Sequence, residues 1–229
     1  MPRPHVHLNV AASADGKIDT FQRRGASISS RRDRERVDRL RADSDAVMIG
    51  SRTLHDEDPR LTVKSQALRA ERAALGLPEN PAKVAVAERF MLKPECKFLT
   101  AGPARILLFT TSQSTEAELA RLRFSGAEVF VHEGGWVDLE RALATLGEKG
   151  IRRLLVEGGA TLNFEMLNLG LVDELTVFIA PVVFGGERAP TLAGGFGLSD
   201  SAAVRLKLLK AEQWEDGGVL LHYEVLRGG

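Results

Sequence analysis

Cysteine is nearly absent from this chain: Cys96 is the only one in 229 residues. One thiol forms no internal disulfide, which fits a reducing cytoplasm. It also excludes cysteine-rich zinc sites, including the zinc-deaminase signature with its two nearby cysteines. An excess of either charge is missing too, with 31 Lys and Arg against 31 Asp and Glu. Such a balance gives no global attraction to nucleic acid or an acidic membrane, and neither is expected as a partner. No apolar run approaches the length of a membrane span. The polar N-terminus leads straight into a strand pattern rather than a signal-peptide core, so the expected location is cytoplasmic.

Three nucleotide and hydrolase fingerprints are lacking as well. No Gly-x-Gly-x-x-Gly follows a strand pattern, no Gly-x4-Gly-Lys-Ser/Thr loop exists, and there is no Gly-x-Ser-x-Gly elbow. What remains is an ordinary globular composition, 44% hydrophobic and 27% charged, long enough for one large α/β domain over 1–229.

The pattern predicts strands at 5–12, 46–49, 83–87, 105–110, 127–131 and 154–156. Helix patterns at 31–42, 66–75, 114–124, 138–149 and 160–169 fall between them. Alternation of this kind predicts a largely parallel, buried sheet. Ser29 or Ser30, Ser114 and Asp138 are the expected helix caps. The segment 66–81 reads as a surface helix on a longer connection than needed, and 88–103 as irregular. Three later strands, 174–184, 202–211 and 219–226, have no helix between the last two, which predicts an antiparallel hairpin. The fold class is therefore α/β, with a mixed, mainly parallel central sheet and an antiparallel C-terminal hairpin.

The stretch Leu154-Leu155-Val156-Glu157-Gly158-Gly159-Ala160-Thr161 organises the rest. It reads as a buried strand, a charge at the strand's end, a glycine turn and a helix start. A helix N-terminus behind glycines offers free N–H groups and a positive dipole end to a phosphate. The alternative is a tight turn with a solvated Glu157. Three further polar motifs fall at predicted strand ends: Ser13-Ala14-Asp15-Gly16-Lys17, Gly50-Ser51-Arg52-Thr53 and Gly185-Gly186. Ligands of open α/β sheets bind at the carboxyl ends of strands, so four such motifs favour a ligand cleft. Asp15 and Lys17 are candidates to orient a polar substrate or move a proton. Arg41, Arg60 and Lys64 supply positive charge suited to a phosphate. His5 and His7 share one strand face, but no third ligand lies near them in sequence, so no metal is expected. Asp56-Glu57-Asp58-Pro59 reads as a solvated turn.

Ser13-x-Asp15-Gly16-Lys17, Gly50-x-x-Thr53-x4-Asp58-Pro59-x-Leu61-x-x-Lys64, Glu157-Gly158-Gly159 and Pro181 with Phe184-Gly185-Gly186 stand in one order. Together they resemble the riboflavin-biosynthesis pyrimidine reductases: the reductase half of the bifunctional bacterial deaminase–reductase and the free-standing archaeal and fungal enzymes. The resemblance implies a dihydrofolate-reductase-like, three-layer α/β/α fold. It implies an NADPH-dependent reductase sending hydride to the ribose C1′ of a ribosylamino-pyrimidine 5′-phosphate. It implies that Ser27, Thr53, Glu57, Gly158, Gly159, Ala160 and Thr161 meet the cofactor. Glu57 stands where the family usually has Asp. Arg41, Arg60, Leu61, Lys64 and Glu157 would meet the phosphorylated substrate, with Lys17, Asp15 and Glu157 nearest the chemistry. Without a deaminase half, the diamino-pyrimidinone is favoured over the amino-uracil substrate. A homodimer is expected from the resemblance and from apolar C-terminal strands that leave an edge to cover. The competing readings are a pterin reductase, which has no need of Arg41 and Lys64, and a non-catalytic nucleotide-binding module.

Overall fold

The computed structural model describes residues 3–226. In chain order its elements are β1 (His5–Ser13), α1 (Arg31–Ala42), β2 (Ala46–Gly50), α2 (Ser51–Glu57) and α3 (Gln66–Ala74). Next come β3 (Ala82–Val86), α4 (Lys97–Thr100), β4 (Ile106–Thr111), α5 (Glu116–Phe124), β5 (Glu128–His132) and α6 (Leu139–Glu148). The rest are β6 (Arg153–Val156), α7 (Ala160–Asn168), β7 (Glu174–Ala180), a 3-10 turn (Asp200–Ala202), β8 (Arg205–Gln213) and β9 (Val219–Leu226). The chain groups into two compact units, one built on Val37–Leu155 and the other on His5–Arg36 with the chain from Val156 onward.

In the first unit the strands run β5-β4-β3-β2, each parallel to its neighbour, as the alternating pattern predicts. All six residues of β4 are buried, the mark of a strand covered on both faces. Val47, Ile49, Leu54, Leu61, Phe98 and Leu108 belong to one core cluster. Two local expectations change. The helix after β4 is capped by Thr115, not Ser114, in a capping box: Thr115 N–H donates to Glu118 Oε2 at 2.8 Å and Glu118 N–H returns to Thr115 Oγ1. Ser114 instead shares a buried hydrogen bond with Thr110. The stretch expected to be irregular contains α4, and the acid turn before Pro59 is only partly solvated. Asp58 sits in the left-handed region at φ 43° and accepts from the Lys97 and Phe98 N–H groups.

Two buried cations also depart from a simple surface pattern. Lys83 is wholly buried in β3, where its Nζ donates to the Phe98 and Ala101 carbonyls, and burial lowers it to about 8. Helix α3, expected on the surface, buries Arg72 at 4% exposure. The Arg72 guanidinium donates to the carbonyls of Ala42, Ser44 and Pro78 at 2.6–2.8 Å.

In the second unit the order is β1-β7-β9-β8. β1 and β7 are parallel; β7–β9 and β9–β8 are antiparallel. That is the predicted C-terminal hairpin. Strand β7 ends at Ala180 rather than running to Phe184, because Pro181 has no N–H for a ladder. Strand β8 starts at Arg205, behind the short 3-10 turn that occupies the expected strand start. A bulge interrupts the β8 ladder between Leu208 and Lys210. Phe178 stacks on Trp214 beside Ile28 in this unit's core. On β1, Val6, Leu8 and Val10 are buried as predicted. Burial also drives His7 down to about 4, so its ring is neutral near pH 7. Among the described residues, no helix is long and apolar enough to cross a membrane.

Candidate active site

Gly158 and Gly159 join β6 to α7 by a cis peptide. Gly158 is at φ 95°, a region in which a side chain is strained, and a Cβ there would lie 3.4 Å from Asn163 Oδ1. Gly159 is the N-cap of α7 and offers no side-chain oxygen. The first-turn N–H groups of α7 are thus left without a side-chain cap, the condition under which a helix start takes an anion. Asn163 Oδ1 is buried without a hydrogen-bond partner beside this turn. The uncapped helix start and the close-approach glycine suit a phosphate, whereas the unpaired Asn163 oxygen, an acceptor, suits a hydroxyl or amide donor beside it. Thr161 is exposed, while Ala160 and Glu157 are half-buried.

The loop Ser13–Lys17 closes on itself. Ser13 N–H donates to the Lys17 carbonyl at 2.8 Å, and Lys17 N–H to Ser13 Oγ at 2.9 Å. Asp15 then reaches a second loop. Its carboxylate accepts from Ser13 Oγ at 2.6 Å, Phe184 N–H at 3.1 Å and Gly185 N–H at 2.7 Å. The Ser13 hydroxyl first, and then these backbone donors, lower the Asp15 carboxyl from 3.8 to about 2. It is therefore an acceptor and anchor near neutral pH, with no proton to give. Gly185-Gly186, expected at a strand end, instead lies in this anchored loop.

Lys17 lies beside another segment. It bridges to Thr191, and its Nζ is 3.5 Å from the Ala189 carbonyl. Three residues on, Gly194 N–H donates to the Ala160 carbonyl at 2.9 Å, and Asn163 Nδ2 to the Leu192 carbonyl at 2.7 Å. The stretch 189–194 therefore runs from Lys17 to the start of α7. Ser27, exposed, follows a loop whose Gly25 and Ala26 N–H groups donate to buried Asp19. Asn163, Asp19 and the 189–194 stretch were not singled out from the sequence. A polar Asn within an apolar helix face and an Asp before a Gly-Ala turn were the available signals.

The first unit holds the other predicted residues. Thr53 is half-buried on α2 and Glu57 exposed at its end. Asp38 accepts from the Lys64 and Ser65 N–H groups at 2.7 and 2.8 Å, while Arg41 Nη1 donates to the Thr62 carbonyl. These contacts hold 62–65 extended beside Arg41. Arg60 and Lys64 are exposed and, among the described residues, have no ion-pair partner. Arg60 lines an open pocket of about 480 Å³ with Arg69 and Lys97; Lys64 does not. Leu61 is 1% exposed and packs in the core, so only its backbone is left to meet a ligand. Cys96 has its thiol raised by burial, consistent with an unreactive side chain.

Asp15→Asn is expected to lower kcat/KM by between about 10- and 100-fold, since the amide nitrogen cannot accept from the 184–185 N–H groups and the loop shifts. The sign of the pH effect follows from the lowered carboxyl. Its contribution is complete above 3.8 and disappears as pH falls through about 2. The wild-type pH–rate profile between pH 5 and 8 should carry no limb from this group. Such a limb, lost in Asp15→Asn, would contradict the anchoring role.

Comparison with known proteins supplies independent findings. Residues 4–220 match the RibD C-terminal domain. The chain is 39% identical over 215 residues to a 2,5-diamino-6-ribosylamino-4(3H)-pyrimidinone 5′-phosphate reductase of Archaeoglobus fulgidus, covering 94% of this chain and 95% of that protein. A protein of the same name from Methanothermobacter thermautotrophicus is 40% identical, covering 91% and 93%. In fold, the chain resembles a pyrimidine reductase-like protein from Corynebacterium diphtheriae, with a TM-score of 0.85, 22% identity, and 98% and 93% of the two chains covered.

Proposed function

Because the chain belongs to the RibD C-terminal domain family, the pyrimidine reductases of riboflavin biosynthesis, we propose that it reduces 2,5-diamino-6-ribosylamino-4(3H)-pyrimidinone 5′-phosphate with NADPH. One observation carries the assignment of roles: the stretch 189–194 links Lys17 to the uncapped start of α7. A cation and a phosphate cradle thus share one wall.

The family implies a nicotinamide cofactor, which when bound supplies the hydride. In this reading the N–H groups of Gly159, Ala160 and Thr161 hold its phosphates, and Gly158 allows the chain to approach closely. Ser27, Thr53 and Glu57 make the remaining cofactor contacts. Arg41, Arg60 and Lys64 hold the substrate phosphate, and Leu61 contributes backbone alone. Glu157 accepts from the pyrimidine. Lys17 hydrogen-bonds the sugar or the ring and holds the proton that accompanies reduction. Asp15 positions the loop beside Lys17 and stays ionised. Positioning of this kind is most of what the protein needs to add to a hydride transfer.

The diamino-pyrimidinone is preferred to the amino-uracil because relatives spanning more than 90% of the chain bear that name. NADPH oxidation, followed by absorbance with each ribosylamino-pyrimidine phosphate offered separately, tests this. Turnover of the diamino compound is expected, with Lys64→Ala raising its KM about tenfold. Turnover of the amino-uracil alone overturns the substrate assignment, and turnover of neither overturns the reading. The same proposal includes a homodimer. Edge strand β8 exposes Leu206, Leu208 and Leu209, and apolar edges of this kind are usually covered. A monomeric mass by light scattering removes the dimer.

A further inference from the structure

We propose that His7, Glu174 and His222 form a binding site for one divalent transition-metal ion of the zinc type. The three residues are far apart in sequence and meet on adjacent strands. His7 on β1 lies opposite Glu174 on β7, and Thr176, two residues along β7, lies opposite His222 on β9. Each offers a ligand atom, and these atoms all lie within 4.8 Å of one another. Glu174 Oε2 is already 2.8 Å from His222 Nε2. A tetrahedral zinc ion with bonds of about 2.0–2.1 Å sets its ligand atoms about 3.3–3.4 Å apart. Closing the set from within 4.8 Å to that spacing calls for side-chain rotation on strands whose register the sheet ladder holds.

The surrounding hydrogen bonds select the ring state a ligand needs. Arg36 Nη2 donates to Asn9 Oδ1 at 2.7 Å, which fixes that oxygen as an acceptor. The Thr176 hydroxyl donates to the same oxygen at 2.9 Å. Its proton is thereby used, so at the 2.8 Å contact with His7 Nε2 the Thr176 oxygen accepts and the ring N–H donates. The lone pair of His7 is then on Nδ1. A ligating histidine characteristically donates its other ring N–H to a fixed oxygen in this way. Arg36, the cation in this hydrogen-bonded series, is matched by Asp33 at 2.7 Å. His5 Nε2 lies 3.3 Å from Glu174 Oε1, on the carboxylate's other oxygen.

Two imidazoles and one carboxylate match the donor set of open zinc sites, with water completing the sphere. They offer too few oxygens for magnesium. The Glu174 and His222 side chains are each about one-third exposed, at 33% and 30%, so an ion can reach them. An ion held here bridges β1, β7 and β9, which should stabilise the unit they build.

The experiment uses the full chain without an affinity tag, stripped with chelator and titrated with Zn2+. Calorimetry should give one site per chain, and saturating Zn2+ should raise Tm by about 5 °C or more, with no shift from Mg2+. His222→Ala and Glu174→Gln should each weaken Zn2+ binding at least tenfold, while His5→Ala should leave it within about threefold. Should His222→Ala fail to fold, Glu174→Gln and the visible absorption of a Co2+-loaded wild-type protein decide: a tetrahedral Co2+ spectrum supports the site. No stoichiometric Zn2+ binding overturns the proposal, as does binding that survives Glu174→Gln unchanged.

Discussion

Gly158→Ala should raise the KM for NADPH at least about tenfold while the protein stays folded. At φ 95° the backbone of residue 158 is in a region that costs an L side chain on the order of 1–3 kcal/mol. Relief requires rotating the peptide that leads into α7, and that peptide carries the Gly159 N–H, the first of the three proposed to hold the cofactor phosphates. The added methyl would also sit in van der Waals contact with Asn163, whose Nδ2 holds the Leu192 carbonyl. A tenfold change corresponds to about 1.4 kcal/mol of binding, within the reach of the strain alone. The effect should fall mainly on cofactor KM, because the groups assigned to the substrate phosphate lie elsewhere in the chain. An unchanged NADPH KM in a folded Gly158→Ala protein would remove the cradle from the site.

Arg72→Ala should lower stability by about 3–5 kcal/mol, because three carbonyls lose a buried charged donor. For a chain of this size that is a fall in Tm on the order of 10 °C. The loss should also reach the substrate. Arg72 holds the carbonyl of Ala42, the residue after Arg41, so its removal frees the end of α1 that aims Arg41. Substrate KM should rise with cofactor KM little changed. Arg72→Lys should recover only part of the stability, since an ammonium cannot reproduce the planar fork that serves three carbonyls. Calorimetric unfolding that places Arg72→Ala within about 2 °C of wild type would sink this account.

How far the sequence could be read depends on the range of the interaction involved. Helix α1 runs over Arg31–Ala42 as its pattern predicts, and the Asp138 cap holds the Arg141 N–H. Both are set by neighbours within a turn. The parallel strands were legible as short apolar runs between helix patterns, and the C-terminal hairpin by the lack of a helix between its two strands. The family motifs marked the glycine turn and the Ser13–Lys17 loop. What stayed hidden in the sequence depends on long-range partners. Arg72 looks like one more charge on a solvated helix until three distant carbonyls are found around it. Leu61 sits inside a motif, yet its side chain serves the core. His7 has no third candidate ligand near it in sequence because Glu174 and His222 arrive from strands more than 160 residues away. Asp15 looked like a candidate for proton transfer, while the donors that keep it ionised include the backbone of Phe184 and Gly185.

The bulge in β8 has a consequence for how the strand's code is written. Leu209 has no partner in the ladder: Leu208 faces Tyr223 and Lys210 faces His222. Arg205, Lys207, Lys210 and Glu212 therefore share one face, and Leu206, Leu208 and Ala211 the other, which Gln213 joins at the strand's end. Counted straight along the chain, Lys210 has the parity of the leucines. The extra residue acts as a frame correction: it changes the reading frame of alternation midway, so from Arg205 to Glu212 the charges stay on one face although they are out of phase in the letters.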